Sequence, residues 1–223
     1  MGLGLVVTGL VAWFAANAAV TTDPAAAVGQ LSSGQYVTQW GALLFNSPLM
    51  WVFAFAPLAF VLVLSFGINK LSPVATQALF WAFSAIMGLS LSSIFLVYTD
   101  ASIAKVFFIS AATFGAMSLY GYTTKRDLTS IGHFLIMGLI GLIIAMVVNI
   151  FLASSMLDFA ISAVGVLIFV GLTAYDTQKI KEMYSVNDDG TVSGRKAIMG
   201  ALTLYLDFLN IFLFMLQFFG DRR

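Results

Sequence analysis

The sequence predicts an all-α integral membrane protein, a bundle of seven transmembrane helices, and three observations carry that reading. Of 223 residues, 61% are hydrophobic and 9% charged, where globular chains run at about 45–50% and about 25%. The apolar residues fall into seven continuous runs, each long enough to cross ~30 Å of hydrocarbon as a helix. The runs do not alternate in polarity, so barrel strands are not expected. Seven spans of ~20 residues would use ~140 residues. The longest polar stretch, Thr21–Pro48, is too short for a separate soluble domain.

In chain order the runs are 3–20, 49–67, 74–98, 103–120, 131–153, 156–175 and 197–219, and together they make residues 1–223 a single seven-helix transmembrane domain. In the first run, Ala16-Asn17-Ala18 has the form of a signal-peptidase site. Only Met1 and Gly2 precede the run, however, and a cleaved signal would carry a basic segment there. The run is therefore expected to be kept as a span, and its abrupt start implies that a polar tail precedes it in the native protein. Val6 stands where a myristoylation signal needs Ser or Thr. The second run contains Pro57, which is expected to kink it. Two rows of small residues, Ser84-Gly88-Ser92 and Gly141-Ala145-Asn149, have the spacing that lets membrane helices approach closely. Trp51, Trp81, Tyr98, Tyr120 and Tyr122 sit near span ends, as interfacial aromatics do.

Orientation follows from the basic residues. The second, fourth and sixth connections carry Lys70, Lys125, Arg126, Lys179, Lys181, Arg195 and Lys196, whereas the other three carry only Lys105. Even-numbered connections and the N-terminus are thus expected in the cytoplasm. Seven full spans then leave Arg222 and Arg223 outside; a re-entrant segment would bring them back.

Composition also excludes several functions. Ten basic residues balance ten acidic ones, so no field for nucleic acid exists. With no Cys and one His, His133, thiolate and multi-histidine metal sites and disulfides are ruled out. A metal would have to be a hard cation held by oxygen, and no tightly bound cofactor is expected. His133 reads as an interfacial residue, with a proton sensor as the lesser alternative.

Asp207 stands apart because it lies near the middle of the seventh run. At that depth a charge costs at least ~2.5–3.5 kcal/mol, so it needs a partner or a polar cavity. Gly200, Thr203, Asp207, Asn210 and Gln217 recur at steps of three, four or seven and share one helical face. That stripe is expected to line an inward polar path, with Leu209 on the lipid-facing side. Asp176 falls at the cytoplasmic end of the sixth run, where it is either functional or an interface carboxylate paired with Lys179 or Lys181. An intramembrane aspartyl protease would match Tyr175-Asp176. It would also need Gly-x-Gly-Asp where Leu204-Tyr205-Leu206-Asp207 stands, and a later Pro-Ala-Leu that is missing. Gly88-Leu89-Ser90-Leu91 lacks the glycine after serine of a rhomboid-like protease. No enzymatic activity is expected.

Several motifs occur in order along nearly the whole chain. They are Gly88-Leu-Ser-Leu-Ser-Ser-Ile-Phe95, Val97-Tyr-Thr99, Ser118-Leu-Tyr-Gly-Tyr-Thr-Thr-Lys-Arg-Asp-Leu128, Gly171-Leu-Thr-Ala-Tyr-Asp-Thr-Gln-Lys-Ile-Lys181 and Ala201-Leu-Thr-Leu-Tyr-Leu-Asp-Phe-Leu-Asn-Ile-Phe212. In this the sequence resembles the bacterial branch of the Bax inhibitor-1 family. The resemblance implies a bundle with the seventh helix central and a multi-pass protein of the inner (plasma) membrane. It further implies a pH-sensitive calcium leak gated by a hydrogen-bonded aspartate pair, at the positions of Asp176 and Asp207. The alternative it implies is a non-conducting regulator that binds a membrane-bound protease or other stress-response partner. The family pattern begins with a polar segment before the first helix, which this chain lacks.

The leak reading is chemically coherent. Calcium takes six to eight oxygens, and Asp176, Asp207, Asn210, Thr203, carbonyls and water would supply a loose, weak site. Weak binding suits conduction, which needs release as well as capture. Two carboxylates within hydrogen-bond reach cannot both ionise cheaply, so the pair would share a proton and titrate as a unit.

Overall fold

The computed structural model describes every residue except 31–33, 46, 68–70 and 185–187; Lys70 lies outside the described residues. Nine helices are found among them: α1 Gly2–Ala19, α2 Gln39–Phe45, α3 Leu49–Gly67, α4 Pro73–Leu91, α5 Ile94–Val97, α6 Asp100–Thr123, α7 Thr129–Leu152, α8 Ser155–Met183 and α9 Gly190–Phe219. Six are long and apolar enough to cross a membrane, and a seventh crossing is counted if α2 and α3, bent by 57° against each other, form one span. Pro57 sits inside α3, while that bend falls before it, at the α2–α3 junction. The stretch expected to be a plain polar connection holds three short antiparallel strands, β1 Val20–Thr21, β2 Gly29–Gln30 and β3 Tyr36–Val37, in the order β1-β3-β2.

Local chemistry sets the helix ends. Ser72 Oγ accepts from Ala75 N at 3.2 Å with Pro73 in the first turn, satisfying an amide that the helix leaves bare. Ala153 takes a left-handed conformation, φ 47°, and ends α7 while Asn149 Oδ1 accepts from Ser154 N at 3.0 Å. Ser154 Oγ then caps α8 by accepting from Leu157 N at 3.3 Å.

The chain forms two compact units: Met1–Thr99 with Gly190–Met199 and Arg222–Arg223, and Asp100–Asp189 with Gly200–Asp221. In the first unit α1 packs on α4, and the Ser84-Gly88 row does what its spacing predicts. A Cβ on Gly88 would run into Thr8 O and Val11, and one on Gly4 into Phe80. Thr8 Oγ1 donates to Ser84 O at 2.8 Å and Gly4 O at 2.9 Å. Residues 4, 8 and 11 thus meet 80, 84 and 88 in the same order, so α1 and α4 run parallel. Cleavage after Ala18 would strip α4 of this partner. The intact mass of the mature protein is therefore expected to include the first run; a chain beginning at Ala19 would refute this. At the other end of α4, Arg223 N donates to Val97 O at 2.8 Å and Arg223 Nε to Tyr98 O at 3.1 Å.

In the second unit α6, α7, α8 and α9 alternate in direction. On α6, Phe107 and Phe114 meet Phe208 edge-on at 5.5 and 5.7 Å, and Ser110 Oγ donates to Met215 Sδ at 3.3 Å. Helix α9 is the most buried of the spans, with Tyr205 and Ile211 fully enclosed. Helix α7 is the least: Ile143, Ile144 and Ile150 stand exposed, a surface that needs hydrocarbon around it. Glycine gives these helices their closest approaches. A Cβ on Gly121 would fall on the Ala174 carbonyl, one on Gly132 on the Tyr175 ring, and one on Gly165 on Phe214.

Helix α8 extends beyond its apolar run to Met183, and α9 begins before its run, at Gly190. Both segments are polar, and a helix leaving the apolar layer keeps its own hydrogen bonds in water as well. The Gly141 row does not pack, since nothing lies within 4 Å of a Cβ at Gly141; spacing alone does not say which side meets a neighbour. A further correction concerns Leu209, which is 5% exposed and so does not face lipid, because α9 is covered on more than its polar face.

Candidate functional site

Helices α8 and α9 run antiparallel, as Gly165 against Phe214 and Ile180 against Gly200 fix. This register brings Asp176 and Asp207, 31 positions apart in sequence, to one level. Their carboxyl groups come within reach of a shared hydrogen bond, and Lys179 is near enough to act on Asp176 electrostatically. Asp176 is half-buried, while Asp207 is 4% exposed. Oδ2 of Asp207 is buried and accepts from no donor group among the described residues. An orphaned buried acceptor is uncommon, and it marks a place for a proton, a water or a cation.

The polar residues of the α9 stripe have different partners. Thr203 is half-buried. Asn210 Nδ2 donates to Leu206 O at 2.8 Å, within its own helix. Gln217 Nε2 donates to Asp158 Oδ1 at 2.8 Å, toward the start of α8. On α8, Thr173 and Thr177 donate to Phe169 O and Thr173 O at 2.7 Å each, so their hydroxyl protons are spent locally. His133 is exposed near the start of α7.

Two residues gain a place that sequence reasoning did not give them. Ser118 Oγ is buried without a partner among the described residues. It lies on α6 between Phe114, which meets Phe208, and Gly121, which meets Ala174. Positions 114, 118 and 121 share one helical face, so Ser118 sits at the level of the pair. Gln178, buried two residues beyond Asp176, clamps the α6–α7 connection: Nε2 donates to Arg126 O and Oε1 accepts from Leu128 N, both at 2.9 Å. Lys181 Nζ donates to Tyr122 O at 2.8 Å. In the same connection Asp127 Oδ1 accepts from Thr129 N at 2.8 Å, and hydrogen bonds to Thr129 hold its carboxyl below the usual range. The helix ends beside Asp176 are thereby fixed.

No set of three or more His, Asp or Glu side chains gathers to hold a metal among the described residues.

A family model described as "Inhibitor of apoptosis-promoting Bax1" matches residues 1–223. The chain is 48% identical over 226 aligned residues to the "Inner membrane protein YbhL" of Escherichia coli (strain K12), covering all of this chain and 88% of that protein. It is 50% identical over 181 residues to the "Uncharacterized protein RP147" of Rickettsia prowazekii (strain Madrid E), covering 81% and 77%. An uncharacterised protein of Caulobacter vibrioides is 45% identical over 224 residues, covering 100% and 86%.

Proposed function

The chain belongs to the Bax inhibitor-1 family, and from that premise we propose that it is a pH-sensitive calcium leak of the inner (plasma) membrane, gated by the Asp176–Asp207 pair. One observation carries the reading: Asp207 is buried in a membrane helix against a second carboxyl, and its Oδ2 accepts from no donor group among the described residues. A merely structural carboxyl would be expected to have both oxygens satisfied. Calcium is cargo here, and no catalytic step is involved. The shared proton ties α8 to α9, so its gain or loss changes whether the two helices are fastened at this level.

The same reading takes the protein as seven spans with α9 central. Parallel α1 and α4 support it, because the chain must return once between them and α3 is the helix available to do so. The C-terminus then lies on the side of the α5–α6 connection, to which Arg223 is bonded. Single cysteines in this cysteine-free chain test the scheme. Position 190 is expected to react with an impermeant thiol reagent only after lysis, and position 222 in intact cells. Labelling of position 190 from outside would overturn the orientation, and labelling of position 222 only after lysis would reduce the spans to six.

Calcium flux from the purified protein alone in liposomes tests the function. A non-conducting regulator of a membrane-bound protease would give none.

A further inference from the structure

Away from the carboxylate pair, the turn joining α7 to α8 and the end of α9 enclose a cleft of about 210 Å³. Its lining is Met146, Asn149, Ile150, Asp158, Ile161 and Gln217. Asp158 lies eighteen residues before Asp176, about 27 Å of helix, so this is a separate place in the second unit.

Asp158 begins α8, and an acid there ordinarily turns back onto the helix's own bare amides. This one does not. Leu157 N is taken by Ser154 Oγ and Asp158 N by Ser154 O, and the Asp158 side chain reaches across to α9, where Gln217 Nε2 donates to its Oδ1 at 2.8 Å. Oδ2 has no partner among the described residues, and no Lys or Arg lines the cleft. Gln217 is left with an unused carbonyl oxygen, and the Asn149 carbonyl, which accepts from Ser154 N, keeps one lone pair. The cleft thus offers three oxygen acceptors, one of them charged, set among Met146, Ile150 and Ile161.

A divalent cation is poorly matched, since three of the six lining residues supply no side-chain oxygen and six to eight oxygens are wanted. A primary ammonium is well matched, because it carries one positive charge and three N–H donors on an apolar carbon chain. Ile150, which lines the cleft, is 77% exposed, and Phe151 and Met156, which flank the turn between α7 and α8, are 83% and 84% exposed, so this end of the second unit presents side chains that would meet acyl chains. We propose that this cleft binds a primary alkylammonium group, supplied by the ethanolamine headgroup of a membrane lipid or by a soluble alkylamine. The inference uses neither Asp176 nor Asp207, and its failure would leave the leak reading untouched.

The full chain, purified in detergent and offered equal amounts of phosphatidylethanolamine and phosphatidylcholine of the same acyl chains, is to be weighed by native mass spectrometry. A quaternary headgroup has no N–H to give, so the ethanolamine lipid is expected to be retained over it by roughly tenfold, the worth of a charge-assisted hydrogen bond. Asp158→Asn keeps the shape and should abolish the preference. Met146→Trp keeps the charge but fills the cleft, and should abolish it too, which decides the matter if Asp158→Asn protein does not fold. Displacement of the lipid by n-butylammonium chloride would show that the ammonium is the recognised group. Binding of butylammonium without lipid preference would assign the site to soluble amines. Equal retention of the two lipids by the parent protein, with no butylammonium binding, overturns the proposal.

Discussion

Asp207→Asn protein in liposomes is expected to lose most of the pH dependence of its calcium flux between about pH 5 and 8, where a shared carboxyl proton acts. The substitution keeps the side chain's size and its place in α9 but leaves nothing at position 207 to ionise. Asp176 then titrates alone, half-buried beside Lys179, without a second carboxylate to share its proton. Asp176→Asn should have the same qualitative effect, since the titration belongs to the pair and not to either member. A control must be exposed and apolar. Leu209 fails that requirement, but Leu167 on α8 is 70% exposed, and Leu167→Ala should keep the parent's profile. If Asp207→Asn protein, shown to be folded and inserted, matches the parent in flux and pH profile, the pair does not gate. The regulatory-partner reading would then move ahead.

The spans and the two aspartates were legible in the sequence for a physical reason. A bilayer demands long apolar runs, and it makes any carboxyl at depth conspicuous, so Asp207 is visible by position alone. Asp176 was less visible. It lies at the edge of its apolar run, and its role rests on resemblance; the antiparallel register of α8 and α9 sets it against Asp207. What hydropathy does not encode is which face of a span meets protein and which meets lipid, because both faces are apolar. That is why Leu209 and the Gly141 row were misplaced while the Ser84-Gly88 row was not. Ser118 and Gln178 were hidden differently. Each is an ordinary polar residue near a span end, and only its neighbours on α6 or in the α6–α7 connection give it a meaning.

The second large effect is expected at Gly121, where helix contact and function are joined. Between membrane helices there is no hydrophobic drive to association, because lipid is as apolar as leucine; close backbone packing across small residues takes its place. Gly121 is buried in α6, and a Cβ there would fall on the backbone carbonyl of Ala174. A side chain in the way can swing aside; a helix carbonyl cannot, so α6 must lift from α8. Gly121→Ala is therefore expected to destabilise the protein by about 1–3 kcal/mol, the usual penalty of overpacking, at about 2–4 °C of Tm per kcal/mol. Thermal unfolding in detergent measures this. Gly115, six residues earlier on the same helix, has nothing within 4 Å of its Cβ, and Gly115→Ala should leave Tm unchanged or slightly higher. Because Ala174 lies two residues before Asp176, lifting α6 also disturbs the level at which the carboxylates meet. The Gly121→Ala flux profile should accordingly depart from the parent's even below its unfolding temperature, while that of Gly115→Ala should not. Equal Tm for the two glycine variants would mean that α6 and α8 do not touch at Gly121, and the placement of Ser118 at the level of the pair would fall with that contact.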